Sequence, residues 1–424
     1  MDRSLTLAPR TFRRDERGGV AIIFGISAMA ITMFAGIALD YSRINHERSR
    51  VTTAIDAATL AAGKAMLDGR LSDDEVKQIA RAYFDENVRG SGNGFGSLQS
   101  FDVQLDRSTN FVAINADVKV EMTLTRVAGY DNVVFPVRAS AQFEQQDIEL
   151  SMALDVTGSM APFGKMEALK RAGKELVRVM LPEEGTPNKV RIALAPYSSG
   201  VNAGEHFTAA TGRASGTGCT FERDNADQAS DATPAAGSYL KTNGSAGVRA
   251  GATCPGRGVM KLTDQRQRLI DEFDYYAPSG STAGHLGALW AWYMLSDKWN
   301  AALGNDAAPY RDGKTKKALV LMTDGLFNTI GGTNNGDNSA VARQSQQIAM
   351  DACAAMRAQD IMVFTVGFKL SEINNATLRE RAETTLRTCS GNNNARHFDA
   401  DNEEGLISAF VAIAEQLNNL RLTN

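Results

Sequence analysis

Histidine and cysteine are scarce in this chain of 424 residues, with four of each. None of Cys219, Cys254, Cys353 and Cys389 belongs to a Cys-x-x-Cys pair. That argues against a zinc site or a thioredoxin-like redox centre. His46, His206 and His397 lie in no recognisable catalytic context, and only His285 falls near a hydroxyl of interest, Thr282. A hydrolase needs a nucleophile with a positioned base. Gly-x-Ser-x-Gly is missing, since Ser159 sits in Thr157-Gly-Ser-Met-Ala. A Gly-x-x-x-x-Gly-Lys-Ser/Thr loop is missing as well, which disfavours ATP hydrolysis by a P-loop. Catalysis is therefore not expected. Concentrated positive charge is also lacking: net charge is −4, with both signs dispersed and no basic block. Nucleic acid is not an expected partner.

What the chain does have is one long apolar run. Gly18–Leu39 contains no charged residue, and about 20 residues suffice to cross a bilayer as a helix. Arg3, Arg10, Arg13, Arg14 and Arg17 precede it, so residues 1–17 are expected to stay cytoplasmic; Arg43, Arg48 and Arg50 beyond it make the bias modest. A secretory signal would have a shorter apolar region ending at small residues. Asp40-Tyr-Ser-Arg is no such site, so residues 18–39 are read as an uncleaved transmembrane helix.

Residues 40–145 read as a small α+β module. Ala54, Ala57, Ala58, Ala61, Ala62 and Ala65 recur at helical spacing, which continues the first helix and lets another element approach closely. Ser72 and Glu75 have the offset of a capping box and start a second helix through about Asn87. The glycines of Gly90–Gly96 mark a linker. Phe101–Leu105, Phe111–Leu124 and Val133–Phe143 read as strands of a small antiparallel sheet, a pilin-like arrangement by fold analogy alone.

From residue 146 strands and helices alternate, the pattern of a mainly parallel α/β sheet. Asp147–Asp155, Val190–Ser198, Lys316–Met322 and Ile361–Phe368 are the strands, with His397–Ala400 a short last one. Helices are expected at about Phe163–Met180, after Thr282, at Ala340–Ala358 and at Glu403–Leu420. The first strand ends in Asp155-Val-Thr157-Gly-Ser159. Ligands of open α/β sheets bind at the strands' C-terminal ends, and a carboxylate with two hydroxyls suits Mg²⁺ or Mn²⁺. Helix capping by the same side chains is the alternative. Two later stretches favour metal: Gly280-Ser-Thr282 before a helix, and a strand ending in Thr323-Asp324-Gly325.

Together, in this order, these three stretches resemble the metal-ion-dependent adhesion site (MIDAS) of the von Willebrand factor A domain. The resemblance implies a divalent cation surrounded by Asp155, Thr157, Ser159, Thr282 and Asp324, with Thr157 where the family usually has Ser. At the N-terminus, Arg13-Arg-Asp-Glu-Arg-Gly-Gly-Val-Ala-Ile-Ile-Phe, Leu39-Asp-Tyr-Ser-Arg and Ala54-Ile-Asp-Ala-Ala-Thr-Leu-Ala-Ala-Gly63 resemble TadG-like proteins of the tight-adherence (Flp) pilus assembly systems of bacteria; Leu417-Asn-Asn-Leu-Arg-Leu-Thr resembles that family's ending. This implies an inner-membrane protein whose bulk is periplasmic, and which binds a pilin, a pseudopilin or another envelope assembly protein. A cell-envelope adhesin using the same site, and a structural membrane protein whose metal site is inert, are the rival readings.

Residues 200–276 interrupt the alternation with a Gly-, Ala-, Ser-, Thr- and Asp-rich insertion holding Cys219 and Cys254. Loops this long are usually functional or disordered. Its place between a strand and the Thr282 loop predicts that it emerges near the metal face, as a cover, a partner surface or a solvated excursion. Four cysteines allow three disulfide pairings; Cys219–Cys254 and Cys353–Cys389 are favoured because each closes a local segment, with free buried thiols the alternative.

Overall fold

The computed structural model describes residues 18–67, 71–90, 96–143, 146–183, 189–224 and 226–420. The chain divides into two units, residues 1–143 and 144–424. The expected cytoplasmic segment 1–17, most of the glycine linker and the last residues of the C-terminal resemblance lie outside the described residues.

The first unit is built on one unbroken helix, α1 (Gly18–Leu67). It alone among the described helices is long and apolar enough to cross a membrane, with mean hydropathy 2.3 over its most apolar window. Its first half is largely bare, with Gly36 and Asp40 buried, whereas Ala54, Ile55, Ala58 and Ala62 are buried within the unit. Helix α2 (Asp73–Gly90) packs beside it through Val76, Ala80 and Phe84. The capping box forms: Ser72 N–H donates to Glu75 Oε2 (2.8 Å) and Glu75 N–H approaches Ser72 Oγ (3.4 Å).

Three antiparallel strands follow, β1 (Gly96–Asp106), β2 (Phe111–Glu121) and β3 (Asn132–Gln142), with β2 central. Val112, Ile114, Ala116, Val118 and Val120 alternate inward along β2, the period-two pattern of a half-buried strand. The strand stops at Glu121 and not at Leu124, because the chain leaves the sheet to bond Asp40 on α1. Gly63 admits the ring of Phe143, which a Cβ there would meet at 1.9 Å.

The second unit is a doubly wound sheet. In chain order its elements are β4 (Asp147–Asp155), α3 (Lys165–Met180), β5 (Val190–Tyr197), β6 (Val201–Asn202), α4 (Phe207–Thr211), β7 (Cys219–Thr220), β8 (Met260–Thr263), α5 (Arg266–Asp274), α6 (Gly284–Leu295), α7 (Asn300–Leu303), β9 (Thr315–Thr323), β10 (Thr329–Ile330), β11 (Thr333–Asn334), α8 (Ala340–Ala358), β12 (Met362–Phe368), α9 (Ala376–Cys389), β13 (His397–Ala400) and α10 (Glu403–Leu420). The sheet order is β13-β12-β9-β4-β5-β6-β7, with β8 also pairing β5. The five strands from β13 to β5 pair in parallel; β6, β7 and β8 join antiparallel.

Both faces of the central strands are covered, which suits their largely apolar composition; Glu149 of β4 and Arg191 of β5 are buried as an ion pair. Leu150, Met152 and Leu154 of β4 point to one core with α3, α5 and α10; Ala153, with Leu319 and Leu321 of β9, points to the other with α6 and α8. Every residue of α6 is buried, as a helix apolar all round requires. From β4 the chain runs to β5 on one side, and from β9 to β12 and β13 on the other. The switch point therefore falls between β4 and β9, where such sheets bind ligands.

The insertion is not a solvated excursion. It contributes β6, α4, β7, β8 and α5 to the unit, and buries Phe221, Leu240 and Ala252. Cys219 is bonded to Cys254 and Cys353 to Cys389, with Cα–Cα distances of 5.6 Å and 5.0 Å. The second bridge ties α8 to the end of α9.

Candidate metal site

Strand β4 delivers Asp155 fully buried at its C-terminal end. Asp155 Oδ1 accepts the N–H of Thr157 (2.9 Å), and Oδ2 accepts the hydroxyl of Thr323 (2.7 Å). The hydroxyl of Tyr197 lies 3.3 Å from the same oxygen and donates to the carbonyl of Met322 (2.9 Å). The backbone of Gly287 leaves the space for that ring, since a Cβ would stand 2.1 Å from it.

A polar chain leads outward from there. Thr157 Oγ1 and Ser159 Oγ are 2.8 Å apart, and Ser159 Oγ donates to Asp324 Oδ1 (2.6 Å). Asp324 follows directly on β9, so adjacent parallel strands bring the two carboxylates together. None of these side chains caps a helix. The N-cap of α3 is Gly164, without a side-chain bond, and Thr157 makes none at the short turn it precedes. The capping alternative is therefore not what these residues do.

Thr282 arrives just ahead of α6. Its N–H donates to Asn328 Oδ1 (3.1 Å), and its carbonyl accepts the N–H of Asn328 (2.9 Å). The carbonyl of Gly280, a left-handed residue, accepts the N–H of Gly158 (2.9 Å), stapling this loop to the Asp155 loop. Ser159, Thr282 and Asp324 line one open cleft of about 640 Å³, with Lys165, Asn328 and Glu372 on its walls. Asp155 and Thr157 lie buried behind it.

Burial, and then the charge of Asp324, pushes the Asp155 carboxyl up to about 7. Two carboxylates held this close call for positive charge. Lys165 supplies some: its Nζ is 3.1 Å from Asp324 Oδ2 and 3.1 Å from Glu372 Oε2. Burial works against this ammonium, but Asp324 and Glu372 outweigh it and hold its pKa above the ordinary lysine value.

Among the described residues no three His, Cys, Asp or Glu side chains form a ligand cluster. The donors gathered here are two carboxylates with the hydroxyls of Thr157 and Ser159, and Thr282 on the same cleft. All are hard oxygens, which fits Mg²⁺ or Mn²⁺ and not a soft metal.

Ser159 bonds to Thr157 and Asp324, not to a histidine. His285 turns the other way, with Nδ1 2.8 Å from Ser345 Oγ and Nε2 2.6 Å from Glu222 Oε1. This Ser–His–Glu row resembles a hydrolase triad, yet Ser345 and His285 are wholly buried. Glu222 comes from the insertion, whose described residues are absent from the lining of the metal cleft. Of the roles left open for the insertion, its described residues do not take that of a cover over this cleft; they pack beside β5 and α6. Sequence reasoning also missed Lys165, Tyr197, Asn328 and Glu372. Thr323 was visible in the quoted motif but had no assigned role.

Residues 18–65 match the family model described as "Putative Flp pilus-assembly TadE/G-like". The resemblance of this segment to Tad pilus-assembly proteins is thereby shown. No curated protein matches the chain. Among solved structures, the pilus adhesin SpaC from Lactobacillus rhamnosus GG is similar at 13% identity and TM-score 0.41, over 77% of this chain and 35% of that one. The vWF domain of the type V pili tip protein Mfa5 from Porphyromonas gingivalis is similar at 12% identity and TM-score 0.39, over 65% of this chain and 96% of that one. The PilB minor pilin from Streptococcus sanguinis is similar at 13% identity and TM-score 0.38, over 77% and 79%. The chain thus corresponds to about a third of the SpaC chain. The TadE/G-like segment coincides with most of α1, and it supports a pilus-related role for the chain.

Proposed function

We propose that this chain is a membrane-anchored component of Flp/Tad pilus assembly. In this reading α1 crosses the bacterial inner membrane with its N-terminus in the cytoplasm, and the bulk of the chain is periplasmic. The α/β unit binds a pilin, a pseudopilin or another envelope assembly protein through a divalent cation. One observation carries the site: Asp155, Thr157, Ser159 and Asp324 form a continuous polar chain at the switch point of the sheet, opening on a cleft shared with Thr282.

Asp155, Thr157, Ser159, Thr282 and Asp324 would hold Mg²⁺ or Mn²⁺, directly or through water. Such a cation, when bound, offers a coordination position to an acidic side chain of the partner. The chain's own residues do the rest. Asp155 is fixed by Thr157 and Thr323, Ser159 orients Asp324, and the open cleft leaves room for a partner carboxylate. Binding without bond-breaking is the chemistry proposed here, since the partners of Ser159, Thr157 and the Asp324 carboxylate, are themselves members of the proposed cation site.

The test is pilus display, scored by electron microscopy, in a deletion strain complemented at matched membrane levels. Pili with the wild-type chain and none with the Asp155→Ala/Asp324→Ala double variant are expected. Pili with both would make the cation site dispensable, and pili in the uncomplemented deletion strain would remove the assembly reading and favour an adhesin.

A further inference from the structure

The turn between β2 and β3 sits on α1 at the point where the apolar run ends. Between residues 29 and 42 of α1 only Gly36 and Asp40 are buried, and both lie under this turn. A Cβ on Gly36 would stand 2.8 Å from Leu124 Cβ, so Leu124 packs against a residue inside the run. Asp40, the first charge after the run, is 2% exposed. Its carboxylate accepts five hydrogen bonds from the turn. They come from the N–H groups of Thr123, Leu124 and Thr125 (3.2, 2.9 and 2.8 Å) and from the hydroxyls of Thr123 and Thr125 (2.6 and 2.8 Å). A carboxylate at the edge of hydrocarbon needs polar partners, and here the turn supplies them in place of water.

The same turn presents apolar side chains outward. Val127 is 86% exposed, Tyr130 68% and Leu124 48%. Single exposed apolar residues need no explanation, but Leu124 packs on Gly36 within a run whose Phe34, Ile37 and Leu39 are themselves exposed, and Val127 and Tyr130 follow Leu124 in the same turn. Gly36 and Asp40 are about one helical turn apart, roughly 6 Å, so the turn is held at the depth where α1 leaves the hydrocarbon. Tyr is favoured at that level, with its ring in the apolar layer and its hydroxyl in water. The exposed Arg126–Asp131 pair beside it (3.1 Å) suits a headgroup layer.

We propose that the β2–β3 turn is a second membrane contact, in which Leu124, Val127 and Tyr130 seat in the interface of the bilayer that α1 crosses. The proposal rests on the spanning reading of α1 given above. It gives the small unit a fixed attitude to the lipid surface, since helix and turn are joined through Asp40. Continuity with the apolar run selects lipid over a protein partner as the occupant.

All four cysteines of the chain are in disulfides, so an introduced cysteine is the sole free thiol for a nitroxide spin label. The full chain is reconstituted in liposomes as Val127→Cys, Ile26→Cys or Ser108→Cys, and label accessibility to oxygen and to a water-soluble nickel complex is compared. Ser108 is the distal control. It adjoins Arg107, which bonds the carbonyl of Met66, roughly 39 Å along α1 from Asp40. The expected result is an oxygen-to-nickel ratio at 127 severalfold above that at 108 and approaching that at 26. A water-like ratio at 127 with a lipid-like ratio at 26 overturns the proposal and leaves the spanning reading standing. A water-like ratio at 26 overturns both. A label at 127 shielded from both reagents means that a second copy covers the patch, which also overturns the lipid contact.

Discussion

The ammonium of Lys165 stands 3.1 Å from Asp324 Oδ2, while the other oxygen of Asp324 accepts the hydroxyl of Ser159. A resident positive charge thus shares a carboxylate with the proposed cation site. Charge-assisted hydrogen bonds of this kind are worth about 1.5–3 kcal/mol, so a divalent cation drawing on Asp324 works against Lys165.

Lys165→Met is therefore expected to tighten Mn²⁺ or Mg²⁺ binding by about tenfold, the equivalent of ~1.4 kcal/mol. In chelator the same variant is expected to unfold more easily than wild type, because Asp324 loses its neutralising partner. Titration calorimetry on the full chain in detergent reads the first effect and thermal unfolding the second. Weaker cation binding in Lys165→Met would mean that the lysine builds the site and does not compete for it.

Much of this was legible in the sequence, for identifiable reasons. Short, largely apolar runs ending in Asp155-x-Thr-x-Ser and Thr-Asp-Gly read as buried strands, with their polar ends at one edge of the sheet. The Ser72/Glu75 offset marked the start of α2 because capping is a local interaction. Lys165 was not legible. The chain reaches it through Phe163 and Gly164, both left-handed, and such a reversal points a side chain where no helical count predicts. Helix α9 escaped because its buried set, Ala382, Thr385, Leu386 and Cys389, is small and partly polar. In the β2–β3 turn, Met122 and Leu124 continue the alternation of the strand, but the bonds to Asp40 take the backbone away. The insertion hides its packing in a polar composition because much of its docking runs through polar contacts: the hydrogen bond of Glu222 with His285 and the ion pair of Asp231 with Lys298.

The raised pKa of Asp155 fixes the sign of a pH effect. An unfolded aspartate titrates near 3.9, whereas the buried carboxyl is pushed up to about 7. Between roughly pH 4 and pH 7 the folded chain holds a proton that the unfolded chain has lost, so stability falls as pH rises through that window and levels off above it. The expected behaviour in chelator is a midpoint of unfolding that declines from pH 5 to pH 8, with the decline reduced in Asp155→Asn. A cation at a hundredfold excess over its dissociation constant would add about 2.7 kcal/mol at the upper end. Tryptophan fluorescence is the measure, because Trp290, Trp292 and Trp299 all lie in the α/β unit. Stability that instead rises with pH in chelator, equally in wild type and Asp155→Asn, would contradict a protonated Asp155.

Glu222 joins the insertion to the elements that carry Thr282. One of its oxygens is 2.6 Å from His285 Nε2 and the other accepts the N–H of Gly331 (2.8 Å). His285 in turn reaches Ser345 on α8. Replacing Glu222 with Leu leaves a buried imidazole nitrogen and a buried amide without their acceptor. Each unsatisfied group costs about 1–3 kcal/mol, so a loss of roughly 3 kcal/mol in urea unfolding is expected. Glu222→Gln keeps an acceptor and is expected to lose less. His285 lies in the first turn of α6, directly after the Thr282 loop, so the Leu variant is expected to weaken cation binding although it is absent from the cleft lining. Unchanged stability would mean that the insertion is not held through this contact. Lost stability with unchanged cation affinity would mean that the Thr282 loop is held by Asn328 and Gly158 alone.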